Sequence, residues 1–312
     1  MAKATGANTK VFYSAESVIG TTDPNAVFKE LPFSSSTLDV TTEEVEDERL
    51  GGRDVECYTQ GNTSVAGDLE SFLSYGDFDD LIEAVFCGTW NADTPVTGTD
   101  ELRNDAVRRG FTIAEQYNDF SPTGYQYYRG CEINTMSISM TPGQNVSVTF
   151  GVVGVDSPDS YTQIAGTTYP DSDADCPFAS FRASIEVDGQ ELAIVTQLDT
   201  QIENGIEGSY VVGSKFVSAN KGIGKFRATG TLTVEFIDFS LYQVYRQNTS
   251  IDMVYTFVNK DGSELKIRQP NTRISSASKP ISGEGDIILT GDLRMLKDAT
   301  EGATLIATRT PA

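Results

Sequence analysis

The chain has 312 residues, enough for two ordinary domains or one large β domain, and 45 acidic against 23 basic residues give a formal net charge of −22. That charge argues against a surface that reads nucleic acid or docks on an anionic membrane. The absence of any histidine removes imidazole acid–base chemistry, Ser-His-Asp and Cys-His catalysis, and His-ligated metals. No apolar run reaches the roughly 18 residues needed to span a membrane, and Met1 to Lys10 lacks the apolar segment of a secretion signal, so synthesis in a cytoplasm is expected. Cys57, Cys87, Cys131 and Cys176 form no CxxC pair and no zinc spacing, and they are expected as free, buried thiols.

Taken in chain order, the first distinctive segment is acidic. Glu43, Glu44, Glu46, Asp47, Glu48, Asp54 and Glu56 crowd together with Arg49, Arg53 and Gly51-Gly52, which predicts an exposed loop available for contacts between subunits rather than a catalytic carboxylate pair. A short strand at Val65 to Leu69 follows. Phe78, Leu81, Ile82, Val85 and Phe86 then recur at i, i+3, i+4, i+7 and i+8, which predicts a helix over about 77–87, capped by Asp77 and ended by Gly88. Ile138 and Met140, the turn Thr141-Pro142-Gly143-Gln144, and Val146, Val148, Phe150 and Val152 read as a hairpin with one buried face.

Residues 154–177 are rich in Gly, Pro, Ser, Thr and Asp, the composition of a linker, and place a boundary near residue 165. Asp171, Asp173 and Asp175 within it lack the Gly and Glu that a calcium loop starting at Asp171 needs, Cys176 and Arg182 standing there instead. Beyond it, Ile185 and Val187 face Leu192 and Ile194 across Asp188-Gly189. Leu232, Val234 and Phe236 alternate with polar residues, and 238–248 carries a second helical pattern. Met253, Tyr255 and Phe257 face Leu265 and Ile267 across Asp261-Gly262, and 287–296 reads as a last strand. The order repeats: Val65-Ala66-Gly67-Asp68-Leu69 leads to Asp77-Phe78 and a helix, and Ala228-Thr229-Gly230-Thr231-Leu232 leads to Asp238-Phe239 and a helix.

The stretch from Phe28 to Trp90 resembles the opening of the siphophage tail tube proteins. It carries a Pro- and Ser-containing strand, an acidic loop, the Val65-x-Gly67-x-Leu69 strand and the helix opening Asp77-Phe78-Asp79-Asp80-Leu81. Phe111-Thr112-Ile113-Ala114-Glu115, Tyr128-Arg129-Gly130-Cys131-Glu132-Ile133-Asn134 and the Met136 to Gly154 hairpin are similar to later segments of that family. The resemblance implies a mainly β chain of two tandem sandwich or barrel modules, 1–165 and 166–312, each with one flanking helix. It implies a structural subunit, not an enzyme, with no cofactor and no metal. Rings would stack into a tube, trimeric with pseudo-sixfold symmetry if each module fills one position, or hexameric if the second half decorates the outside. The implied partners are the chain itself, a tape measure protein and tail-end proteins, with double-stranded DNA passing through the lumen without specific binding and no membrane involved. The expected location is the virion tail, after synthesis in the host cytoplasm. The alternatives are a carbohydrate-binding or adhesin-like β protein, for which Tyr125, Tyr127 and Tyr128 could form an aromatic platform, another tail decoration, or a two-carboxylate glycosidase.

Overall fold

The computed structural model describes residues 3–46, 54–55, 57–158, 160–171, 174–219, 221–281 and 283–312. In chain order the first half carries β1 (Thr9–Glu16), β2 (Lys29–Leu31), β3 (Ser35–Ser36), β4 (Asp39–Glu46), β5 (Tyr58–Phe72), α1 (Asp79–Phe86), β6 (Asp100–Arg103), β7 (Gly110–Tyr117), β8 (Gly124–Met140) and β9 (Ser147–Gly154). The second carries β10 (Ser184–Val187), β11 (Gln190–Glu191), β12 (Val195–Glu203), β13 (Arg227–Glu235), α2 (Ser240–Gln247), β14 (Ile251–Val258), β15 (Glu264–Ser278), β16 (Ile288–Met295) and β17 (Ile306–Thr310). The fold is mainly β, and the strand ladders are antiparallel.

The pairing pattern of the first half recurs in the second. β4 pairs with β5, β5 with β9, β9 with β8, β8 with β7 and β7 with β1. Likewise β12 pairs with β13, β13 with β16, β16 with β15, β15 with β14 and β14 with β10. The long strands β8 and β15 each shift register once against their hairpin partner, at Ile133/Thr135 and at Ile274/Ser276. A bulge there lets one strand bend from one sheet into another. Gly67 lies opposite Val152 and Gly230 opposite Leu293. A Cβ on Gly67 would fall 2.4 Å from the Thr37 carbonyl oxygen, and one on Gly230 would fall 2.6 Å from that of Asp199. In both halves a strand backbone crosses where only glycine leaves room.

One ladder joins the halves directly: β8 pairs with β12 from Met140↔Leu198 to Thr135↔Glu203. Eight strands therefore follow one another in the order β4-β5-β9-β8-β12-β13-β16-β15. β6 adds a second tie by pairing with β17. A single apolar cluster runs through both halves, with Leu69, Phe150, Ile138, Leu198, Leu232 and Leu293 among its buried members.

Helix α1 forms where the spacing predicts it. Phe78, Leu81, Ile82, Val85 and Phe86 are all buried, and the Phe78 ring stacks on Phe150 at 5.7 Å. Two details differ. Asp77 does not cap the helix, because its carboxylate accepts hydrogen bonds from the Ser74 hydroxyl and the Asp175 amide instead. Cys87, not Gly88, makes the left-handed turn that ends it, with φ 49°. α2 lies within the expected span and buries Leu241. Part of the stretch expected as a linker packs against the sheet: Tyr169 stacks on Phe28 at 4.8 Å and, with Ile164, covers a second small core of Phe12, Tyr125 and Tyr127. Aromatic rings supply the apolar area that the composition of this stretch otherwise lacks. Cys87 and Cys131 are buried free thiols, whereas Cys57 and Cys176 are exposed, on the polar hairpin and the polar connecting segment, and so depart from expectation.

Candidate assembly interface

The eight-strand run has two chemically different faces, as strand alternation requires. Met136, Ile138, Ile202, Leu232 and Leu289 point into the core. Ser137, Ser139, Asp199, Gln201, Thr229, Thr231, Asp292 and Arg294 point the other way and line an open hollow of about 560 Å³. Hydroxyls on adjacent strands hold the carboxylates of this face. The Ser139 hydroxyl and the Gln197 amide (2.7 Å) donate to Asp199, and the hydroxyls of Ser276 and Thr231 donate to Asp292. Short polar side chains fixed in this way make up most of this face, with Arg294 as a cation among them.

Glu43, Glu44 and Glu46 stand on β4 and not in a loop. β4 pairs with the first part of β5, with Glu44 opposite Gln60 and Glu46 opposite Tyr58. The ladder fixes these residues because Thr and Val favour extended backbone and the backbone groups pair regardless of side-chain polarity. Asp47, Glu48, Arg49 and Arg53, also expected in the contact loop, lie outside the described residues, as does Glu56. From Thr41 to Glu46 the arm is exposed on both faces, and it carries Val45 and Tyr58 at 53% and 62% exposure. A two-stranded ribbon exposed on both sides is marginal alone and gains stability by docking.

Both ends of the eight-strand run are open. Among the described residues β4 pairs with β5 alone, and β15 beyond Thr272 pairs with β16 alone. The Val40 amide donates 2.7 Å to the Asp39 carboxylate, a local bond at an edge with no strand beside it. Unpaired edges of this kind are templates for another strand.

The junction between the halves is reinforced by a buried charge cluster. Glu132 receives a bidentate pair of 2.8 Å hydrogen bonds from Arg108. Lys221, from the second half, lies 3.4 Å from the same carboxylate and donates 2.6 Å bonds to the carbonyls of Gly130 and Val153. The Lys221 side chain is fully enclosed, and burial pushes its pKa below the ordinary lysine value, with the Glu132 charge opposing that shift. Asn204 adds a buried bond of 2.8 Å to the Val85 carbonyl near the end of α1. Arg309 on β17 bonds Asp79 of α1 and Asp100 of β6, with its guanidinium 4.6 Å from the Trp90 ring centre.

Other sequence candidates dissolve. Tyr125, Tyr127 and Tyr128 are buried, so they form no aromatic platform for a glycan. Asp171 is bonded to Lys10, Asp175 accepts from Asn259, and Asp173 lies outside the described residues. Among the described residues no group of acidic or cysteine side chains is placed to hold a metal ion, and no helix is long and apolar enough to cross a membrane. Lys221, Arg108 and Glu132 were not visible as a unit in the sequence, since their 89-residue separation between Glu132 and Lys221 is closed only by the fold.

No curated relative matches the chain. The family model described as phage tail tube protein matches residues 6–295, so the chain belongs to that family, is a structural component of the virion tail, and is not an enzyme.

Proposed function

We propose that this chain is the ring-forming subunit of the tube of a long, non-contractile tail, and that it supplies two modules per chain, near residues 1–165 and 166–312. The observation that supports this reading most is the β8–β12 ladder between two halves of recurring pairing order. If one module meets the next through that ladder, a ring of six modules needs three chains, and closing it removes both open edges. Stacked rings then form the conduit for the genome. The polar face bearing Asp199 and Asp292 lines the lumen, where carboxylates repel DNA phosphates over a Debye length of about 8 Å. A tape measure protein inside the tube and tail-end proteins at its termini complete the set of partners. Negative-stain microscopy of purified protein, followed by a tube reconstruction, tests this. Three chains per ring is the expected count; six chains per ring, with residues 178–296 wholly outside the inner barrel, would refute the two-module reading.

The β4–β5 arm with Glu43, Glu44 and Glu46, together with Asp47, Glu48, Arg49 and Arg53 between its strands in sequence, is proposed to contact the neighbouring ring. Thr42 and Thr63 are directly paired, so replacing residues 43–62 with Asn-Gly closes the hairpin without disturbing the core. The expected product is a soluble subunit with wild-type far-UV circular dichroism that forms rings but no tubes. Tubes of normal length from this variant would assign the arm another role.

A further inference from the structure

We infer that neighbouring chains join through β15 of one and β4 of the next, in antiparallel register with Ser278 opposite Asp39, Ala277 opposite Val40 and Ser276 opposite Thr41. The inference rests on the tube reading and deepens it, because it names the edges and fixes the register.

The register comes from the junction already present inside the chain. The first and second halves can be matched strand by strand through their own ladders. Gly67 and Gly230 hold the same place, as do Leu69 and Leu232, paired with Phe150 and Gly291 respectively. Ser36 pairs with Leu69 and Leu198 with Leu232, and Asp39 pairs with Ala66 as Gln201 does with Thr229. Residues 36–41 therefore correspond to 198–203 without a gap. On the other edge, the shared bulge aligns Ile133 with Ile274 and Thr135 with Ser276, so residues 135–137 correspond to 276–278.

Within the chain, Gln201 lies opposite Ser137, Ile202 opposite Met136 and Glu203 opposite Thr135. Carrying that register across gives the three pairs stated. Their chemistry agrees with the template. Ile202 and Met136 are buried core residues, and Val40 and Ala277 are half-buried apolar residues packed against the same core. Asp39, Thr41, Ser276 and Ser278 are polar and exposed, like residues on the open side of the template. A slip by one residue would turn Val40 or Ala277 to the polar face, so the apolar pair locks the register. Among the described residues the two edges do not pair with each other within the chain. They terminate the eight-strand run, roughly 34 Å apart along the sheet at about 4.8 Å per strand.

The test is a cysteine cross-link in tubes. In a background carrying Cys57→Ser and Cys176→Ser, Asp39→Cys and Ser278→Cys are combined in one chain, assembled, and oxidised with copper phenanthroline. The comparison chains carry Asp39→Cys with Ser276→Cys, or Thr41→Cys with Ser278→Cys, each two residues out of register. The expected result is a denaturing-gel ladder that ends at the trimer for the in-register pair, at least about tenfold more intense than for either comparison. Tubes in which an out-of-register pair cross-links better, or in which none of the pairs cross-links, overturn the inference while leaving the tube reading standing. Failure to form rings or tubes by the unmutated chain, with no cross-link in any variant, removes both.

Discussion

Leu81→Asp is expected to unfold the chain. Leu81 is 2% exposed on the inward face of α1, beside Phe78, Val85 and Phe86. The substitution removes a buried isobutyl group, worth about 2–3 kcal/mol, and places a carboxylate in the apolar cluster. The combined cost is about 5 kcal/mol or more, comparable with the whole stability of an ordinary domain. Because one apolar cluster runs through both halves, the loss should not stay local. Circular dichroism should show the loss of β signal, and limited proteolysis should cleave in both halves. Leu81→Met conserves volume and should cost less than about 1.5 kcal/mol, which separates a packing effect from mere sensitivity of the site. A soluble Leu81→Asp subunit with native melting behaviour would place this helix face outside the core.

The second large effect is expected at Glu132. Its carboxylate is 2% exposed and is the anion shared by Arg108 and the enclosed Lys221. Glu132→Ala leaves two cations facing each other in a water-poor space, at a cost of about 3–5 kcal/mol. In a chain of this size that should lower the melting temperature by roughly 5–8 °C. Adding Lys221→Met removes one of the stranded charges. The double variant should therefore melt above Glu132→Ala alone, a non-additivity that a merely volumetric defect would not give. Identical melting of the single and double variants would mean that the two charges are not coupled.

Helix α1 and the strands of the closing hairpins were legible in the sequence because burial on one face imposes a period, 3.6 in Phe78 to Phe86 and 2 in Val146 to Val152. The order of elements on either side of Gly67 and Gly230 was legible for the same reason. β4 was not. Glu43, Glu44 and Glu46 are exposed on both faces, so no alternation marks them, and only the ladder to β5 makes them a strand. The packing of Ile164 and Tyr169 on the sheet was hidden because these few apolar residues stand amid polar neighbours. Lys221 gave no signal, since a lysine in a Gly-rich polar stretch reads as solvated until the fold encloses it. The β8–β12 ladder, and with it the open edges at β4 and β15, joins residues some 60 apart, a pairing that local patterning does not encode.

The covalent continuity between β8 and β12 also bears on how assembly depends on concentration. Pairing these two strands is a unimolecular event, because residues 141–194 tether one edge to the other. That segment carries β9, β10 and β11 and keeps the two strands within one molecule, so their pairing does not depend on subunit concentration. Pairing between separate chains must instead wait for encounters at whatever subunit concentration the cell holds. The ties from Lys221, Asn204 and Arg309 close over the tethered junction alone. A ring built from such chains would thus have seams of two kinetic kinds, those completed as each subunit folds and those that fill only as subunits accumulate.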